Sequence, residues 1–388
     1  MKELRIKLES LCIFRELLKD PVLSSLLNYL EAPTNSAYAG FVAAVYNANG
    51  GNISDYVREI CENSENVYVK AVGRGEEVPN HLYNALLEEL QTMQEVAELS
   101  PEKLCEPLQY KGYLPGFVDS EINIRDIYLH RTENIGKFGY GIYAKNKMFY
   151  VDEQNTIVPV RNPDRTELSQ LVDYKRERQV IIDNTKALLE GKPAANILLT
   201  GDAGTGKSST VKAVANALWQ EGLRIIEVRK DQLRAIPKVL DELADNPLKF
   251  VLFIDDLSFL KDDDSFNALK AVLEGSVTAK SKNVVIYATS NRRHIIKEKF
   301  SDREGDDIHR NDTMQELVSL SERFGIHVTF SKPNKETFLH IVRHLAEENG
   351  IDMPKDELEL LAERFVLARG GRSARLARQF VDSLLSKN

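Results

Sequence analysis

A chain of 388 residues with 43% hydrophobic, 28% charged and 8% aromatic side chains, 21 glycines and 13 prolines is an ordinary globular protein, which excludes a disordered, fibrous or disulfide-built one. Its 51 basic and 59 acidic side chains give a net charge of −8, so contact with a polyanion would need a local basic patch. At ~100–200 residues per domain the length predicts about two or three domains, and no apolar run reaches the ~18–20 residues of a membrane helix.

The first twenty residues are amphipathic and charged, without the apolar core of a signal peptide, which predicts a cytoplasmic protein. Cys12, Cys61 and Cys105 are odd in number, far apart and lack metal-ligand spacing, so they read as reduced, buried thiols. From Lys2 to about Leu104 apolar residues recur every three or four positions, as in Leu4, Leu8, Leu11 and again in Leu82, Ala85, Leu86, Met93, Val96. Pro21, Pro33, the run Asn49-Gly50-Gly51-Asn52 and Gly73-Arg74-Gly75 punctuate them. This predicts a helical domain over residues 1–110.

Between Ile122 and Val160 β-branched and aromatic residues cluster in short runs separated by Gly, Asn and Asp, which predicts a small antiparallel β region within 111–160. The polar, proline-containing stretch 161–167 reads as a linker. From Leu168 onward, apolar runs at Asn196–Thr200, Leu223–Val228, Phe250–Ile254 and Val284–Ala288 alternate with helical patterns, which predicts a parallel sheet covered on both faces over 168–332. Residues 333–388 read as a helical subdomain.

The sharpest motif is Gly201-Asp202-Ala203-Gly204-Thr205-Gly206-Lys207-Ser208, a complete GxxxxGK[ST] match between a predicted strand and a helix beginning near Ser209. Glycines let successive N–H groups turn toward phosphate oxygens, and the helix adds its positive end. Lys207 is expected on the β- and γ-phosphates and the Ser208 hydroxyl on Mg²⁺. A second strand, Phe250 to Ile254, ends in Asp255 and Asp256. Acids there can simply mark a strand's exit into solvent, but beside a phosphate loop Asp255 is expected to associate with Mg²⁺ and Asp256 to polarise the attacking water. Its arm is one methylene shorter than that of Glu, which either suffices if the backbone sits closer or leaves hydrolysis slow. A third strand runs into Ser290-Asn291, where Asn291 is either a turn former or a neutral amide that orients water and feels the γ-phosphate; the second reading is preferred. Arg292 and Arg293 read as solvated surface groups or as contacts to a neighbour or to nucleic acid.

The order of these parts, from GDAGTGKS through FVLFIDD and YATSN to Ser321-Glu322-Arg323-Phe324 and a helical end, resembles the AAA+ ATPases. A finer likeness, over Asn196–Leu199, Asp255–Phe259, Tyr287–His294, Ser319–Gly325 and Gly370–Phe380, is to a bacterial AAA+ group called domain of unknown function family 815. The resemblance implies an AAA+ core with a helical lid, ATP binding, Mg²⁺-dependent hydrolysis to ADP and assembly into a homo-oligomer. It also implies that Arg323 reaches the neighbouring subunit's nucleotide and that Leu171–Tyr174, with Val172 and Tyr174, contacts adenine. A lid arginine that senses phosphate is implied too, Arg372 first and Arg375 second. The family's polypeptide-threading members carry an aromatic-apolar-Gly loop, but Arg229–Pro237 has neither an aromatic nor a glycine. Remodelling or loading of a protein or nucleic-acid partner is therefore the implied task, and a nucleotide-gated switch with slow turnover the alternative. His340 and His344, one helical turn apart, lack a third metal ligand nearby, and Ser301–Asp312 reads as an acidic exposed loop.

Overall fold

The computed structural model describes all residues except 258–263, 275–281, 292–321, 368, 370 and 387–388. Arg292, Arg293, His294, Ser321, Gly370 and the loop 301–312 therefore lie outside the described residues. The chain divides into two units, the first comprising 1–145 with 245–247 and the second the remainder.

The first unit is helical: α1 (Lys2–Glu9), α2 (Pro21–Glu31), α3 (Asn35–Asn49), α4 (Ile53–Glu62), α5 (Val67–Gly73), α6 (Asn80–Ala97), α7 (Pro101–Cys105), α8 (Ile124–Glu133), α9 (Ile135–Phe138) and α10 (Ile142–Lys145). The apolar faces read from the sequence form its core, with Leu8, Phe14, Leu23, Phe41, Leu86, Leu90 and Met93 all fully buried. Glu89 on α6 reaches into that core and its carboxylate accepts the backbone N–H groups of Cys12, Ile13 and Phe14 at 2.8–3.1 Å, which closes the turn after α1. Of the three free cysteines only Cys61 is buried; Cys12 is exposed, a correction to its expected burial, and its thiol lies 2.9 Å from Glu89.

The expected β region over 111–160 is corrected in both halves. The stretch 124–145 forms the short helices α8 to α10 rather than strands: in α8 Ile124, Tyr128 and Thr132 recur at four-residue spacing and are buried on one face, while Asn123 caps its start through Asp126 N–H at 3.0 Å. The strands β1 (Met148–Val151) and β2 (Ile157–Pro159) pair antiparallel but join the large sheet of the second unit, where β1 runs parallel to β4 (Leu223–Glu227) with Met148 opposite Ile225. The expected linker 161–167 is likewise part of this unit: Asn216 donates to the carbonyls of Asp164 and Thr166 at 3.0 and 2.9 Å.

With β3 (Ile197–Gly201), β5 (Lys249–Ile254), β6 (Val284–Ser290) and β7 (Ile326–Phe330), the sheet has the order β2-β1-β4-β5-β6-β3-β7, parallel except for β1–β2. The helices α11 (Lys175–Leu189) and α12 (Lys207–Leu218) share a core with one face of this sheet, Ile181, Leu188, Val211 and Val214 meeting Leu199, Phe253 and Val328. Helices α13 (Ile236–Leu243) and α14 (Asp264–Glu274) follow β4 and β5 in the chain. A separate core builds the lid from α15 (Lys335–Glu348), α16 (Lys355–Leu367) and α17 (Ala374–Leu385), centred on Phe338, Val342, Ala362 and Ala377. The strand tips of β3, β5 and β6 lie side by side, in the position where open α/β sheets hold ligands.

Candidate functional site

Residues 201–208 lead from the tip of β3 into α12. Gly201 has φ 142°, and a Cβ there would overlap the carbonyl oxygen of Phe330 on the adjoining strand, so only glycine can make this exit. Gly204, at φ 79°, is where the lid touches the loop: the backbone N–H of Arg375 donates to its carbonyl at 3.2 Å. Lys207 is 5% exposed, and its Nζ donates to the carbonyls of Gly201 and Asp202 at 2.8 and 2.9 Å and to Asn291 Oδ1 at 3.0 Å. Burial lowers its pKa below the ordinary lysine value, against the opposing pull of Asp255, Asp202 and Asp256. Asp202 also takes a hydrogen bond from Thr205 Oγ1 at 2.9 Å, and Ala203 through Ser209 line the cleft above. A cation beside the unbonded N–H groups of a helix start is an anion site.

The acids converge on the same loop. Asp255 Oδ1 accepts from Ser208 Oγ and from Thr289 Oγ1, both at 2.6 Å. A hydroxyl and a carboxylate in contact are the hard oxygen donors that a magnesium ion takes, so these two residues fit Mg²⁺. Asp256 is left-handed at φ 53°, a conformation that costs a non-glycine residue about 1–3 kcal/mol unless its surroundings hold it. Thr289 does so: its Oγ1 accepts the Asp256 N–H at 2.9 Å and its carbonyl the Leu257 N–H at 2.7 Å. The Asp256 carboxylate in turn accepts from Asn291 Nδ2 at 2.6 Å. Lys207, Asn291 and Asp256 thus form one chain, and Ser208, Asp255 and Thr289 another, side by side.

The cleft holds about 540 Å³. Away from the phosphate loop it is lined by Leu171, Val172, Tyr174, Ile341 and Leu345, an apolar slot between the segment before α11 and the lid helix α15. Tyr174 is fixed by a 2.6 Å bond to the Ser331 carbonyl and by its ring, 5.3 Å from that of Phe330, and burial raises its pKa to about 12. Beside it, Asp173 Oδ2 lies 3.1 Å from His340 Nδ1.

The arginines separate. Arg375 lines the cleft, whereas Arg372 is held away from it by both carboxylate oxygens of Glu363 at 2.9 and 2.6 Å, a pairing that raises the pKa of Arg372 and lowers that of Glu363. Arg323 bonds Glu274 and does not line its own chain's cleft. Sequence reasoning missed Thr289, whose bonds depend on two strand tips meeting, and Gln170, Arg178 and Arg378, which line the cleft without belonging to a motif.

Residues 144–388, well over half of the chain, match the model of a family described as "Protein of unknown function (DUF815)". A 121-residue stretch, 30% of the chain, is 35% identical to the Chromosomal replication initiator protein DnaA of Bifidobacterium animalis subsp. lactis, of which it spans only 17%. Among solved structures, the Thermotoga maritima RuvB Holliday junction branch migration motor superposes with TM-score 0.38 and 17% identity over 56% of this chain and 63% of that one. A mutant of the same motor gives 0.39 at 16% identity over the same shares.

Proposed function

The chain belongs to the DUF815 family and carries a phosphate loop at the tip of a parallel sheet, and from that premise we propose that it is an AAA+ protein, an Mg²⁺-dependent ATPase that hydrolyses ATP to ADP and phosphate as a cytoplasmic homo-oligomer. The observation that carries this reading is the convergence of Lys207, Asn291 and Asp256 beside the Ser208–Asp255 pair. Lys207 and the N–H groups of Ala203 to Ser209 bind and orient the phosphates. Ser208 and Asp255 hold Mg²⁺, which when bound neutralises charge developing on the phosphate oxygens. Asp256 accepts the proton of the attacking water, and Asn291, bonded to both Asp256 and Lys207, orients that water against the γ-phosphate.

Val172 and Tyr174 receive the base, and Arg375, rather than Arg372, brings the lid's positive charge to the phosphates. Arg323, outside the lining of its own cleft, is assigned to the cleft of a neighbouring subunit. Turnover is coupled to rearrangement of a protein or nucleic-acid partner. A second reading, a nucleotide-gated switch, is favoured by one observation: the Asp256 carboxylate is already engaged by Asn291, which suits slow, partner-released hydrolysis. The test is phosphate release by the purified full chain with ATP and Mg²⁺. Sustained turnover supports the motor, tight ATP binding with turnover only on adding a partner supports the switch, and absence of nucleotide binding overturns both.

A further inference from the structure

Two arginines that line the cleft, Arg178 and Arg378, have no role in the scheme above, and of these only Arg178 is buried. Arg178, in the first turn of α11, is 9% exposed and lines the cleft. Its guanidinium makes no side-chain hydrogen bond or ion pair with any described residue, although Asp173 and Glu177 act on it at longer range. Burial accordingly lowers its pKa. Of the arginines read from sequence that lie among the described residues, Arg372 and Arg323 are paired and Arg375 is exposed. The side chain is largely buried while its unpaired guanidinium nitrogens stay open to the cleft, which places them to donate to a ligand there.

The position limits what that acceptor can be. The backbone N–H of Arg178 donates to the Tyr174 carbonyl at 3.0 Å, so the residue belongs to the segment that forms the apolar half of the cleft with Leu171 and Val172. The phosphate half already has Lys207, Arg375 and the start of α12. An apolar slot accepts a flat ring, and a donor-only guanidinium beside it selects a ring that presents a lone pair at its edge. We propose that Arg178 is a base-binding residue that donates to a ring-nitrogen acceptor of the adenine, and so holds the nucleotide in the cleft beyond what its phosphates contribute. The assignment rests on the nucleotide-binding reading above, and the experiment keeps their failures apart.

Calorimetric titration of the full chain with ADP, 2′-deoxy-ADP and inorganic pyrophosphate, each with Mg²⁺, is repeated on Arg178→Met and Arg178→Lys. Losing a charge-assisted hydrogen bond is expected to weaken ADP binding by roughly ten- to a hundredfold in Arg178→Met. Pyrophosphate affinity is expected to stay at the wild-type value, which also reports an intact fold. Arg178→Lys, with a point charge in place of the fork, is expected to fall between. Wild-type protein that binds neither ADP nor pyrophosphate overturns the nucleotide reading itself. Unchanged ADP affinity in Arg178→Met overturns the base assignment alone. Equal loss of ADP and pyrophosphate in both variants overturns it in favour of a structural or phosphate-binding arginine, and a wild-type preference for ADP over 2′-deoxy-ADP that vanishes in Arg178→Met overturns it in favour of a ribose contact.

Discussion

At the scale of single residues, the chemistry turns on how Asp256 is held. A left-handed aspartate at a strand tip is held there in part by the Thr289 hydroxyl, which faces both ways, donating to Asp255 and accepting from Asp256 N–H. Valine has the same shape and can do neither. Thr289→Val is therefore expected to leave magnesium-free ADP affinity unchanged and to lower kcat by roughly ten- to a hundredfold, the equivalent of about 1.5–3 kcal/mol for a hydrogen bond to a charged group. Thr289→Ser should recover most of the loss; equal activity in the valine variant would remove the hydroxyl from the argument. Asp256→Asn keeps the size and the bond to Asn291 but not the basicity, so ATP should remain bound while phosphate release falls by about 10²–10⁴-fold. The phosphate loop was readable from sequence because its eight positions are contiguous, and each glycine, the lysine and the serine has its own steric or chemical reason. Thr289 was not readable, because nothing in YATSN says that its hydroxyl meets the tip of β5; that depends on the register pairing Ile254 with Ala288.

At the scale of elements, the parallel strands were legible almost to the residue, since buried strands are unbroken apolar runs. The stretch 122–145 was not: β-branched and aromatic residues favoured strands locally, and a four-residue spacing, an asparagine cap and burial against the helical core decided for helix. The strands at 148–151 and 157–159 were foreseen, but their membership of the large sheet follows from long-range pairing with β4, which no local pattern encodes. The lid presents the same difficulty, for Gly371-Arg372-Ser373-Ala374-Arg375 offers two arginines and only packing tells them apart. Arg372 fastens to Glu363 across the lid, so Arg372→Ala should destabilise the fold by about 1 kcal/mol, discounted for its partial exposure, with nucleotide affinity kept. Arg375→Ala should do the reverse, weakening ATP binding with no change in thermal midpoint. The opposite pattern in melting and titration curves would return the sensing role to Arg372.

For the whole molecule the question is whether one chain contains a complete catalytic site. Its cleft has the phosphate loop, the two acids, the amide and a lid arginine, yet Arg323 lies outside that cleft's lining and bonds Glu274 instead. A phosphoryl transition state gains from a guanidinium on the side opposite the loop lysine. If a neighbour supplies Arg323, specific activity must rise with protein concentration, because dilution removes a catalytic group from every site. Arg323→Ala should then bind ATP normally and turn it over roughly 10³-fold or more slowly. Lys207→Ala should fail for a different reason, having lost the phosphate-binding cation while keeping Arg323. Mixing these two inactive proteins provides the decisive measurement. A subunit with an intact loop can then sit beside one with an intact arginine, and phosphate release should reappear in the mixture, increasing with total concentration. Two dead proteins that stay dead when mixed, under conditions where light scattering shows mixed oligomers, would mean that Arg323 serves its own chain through a rearrangement of the Glu274 contact, and that each subunit is catalytically self-contained.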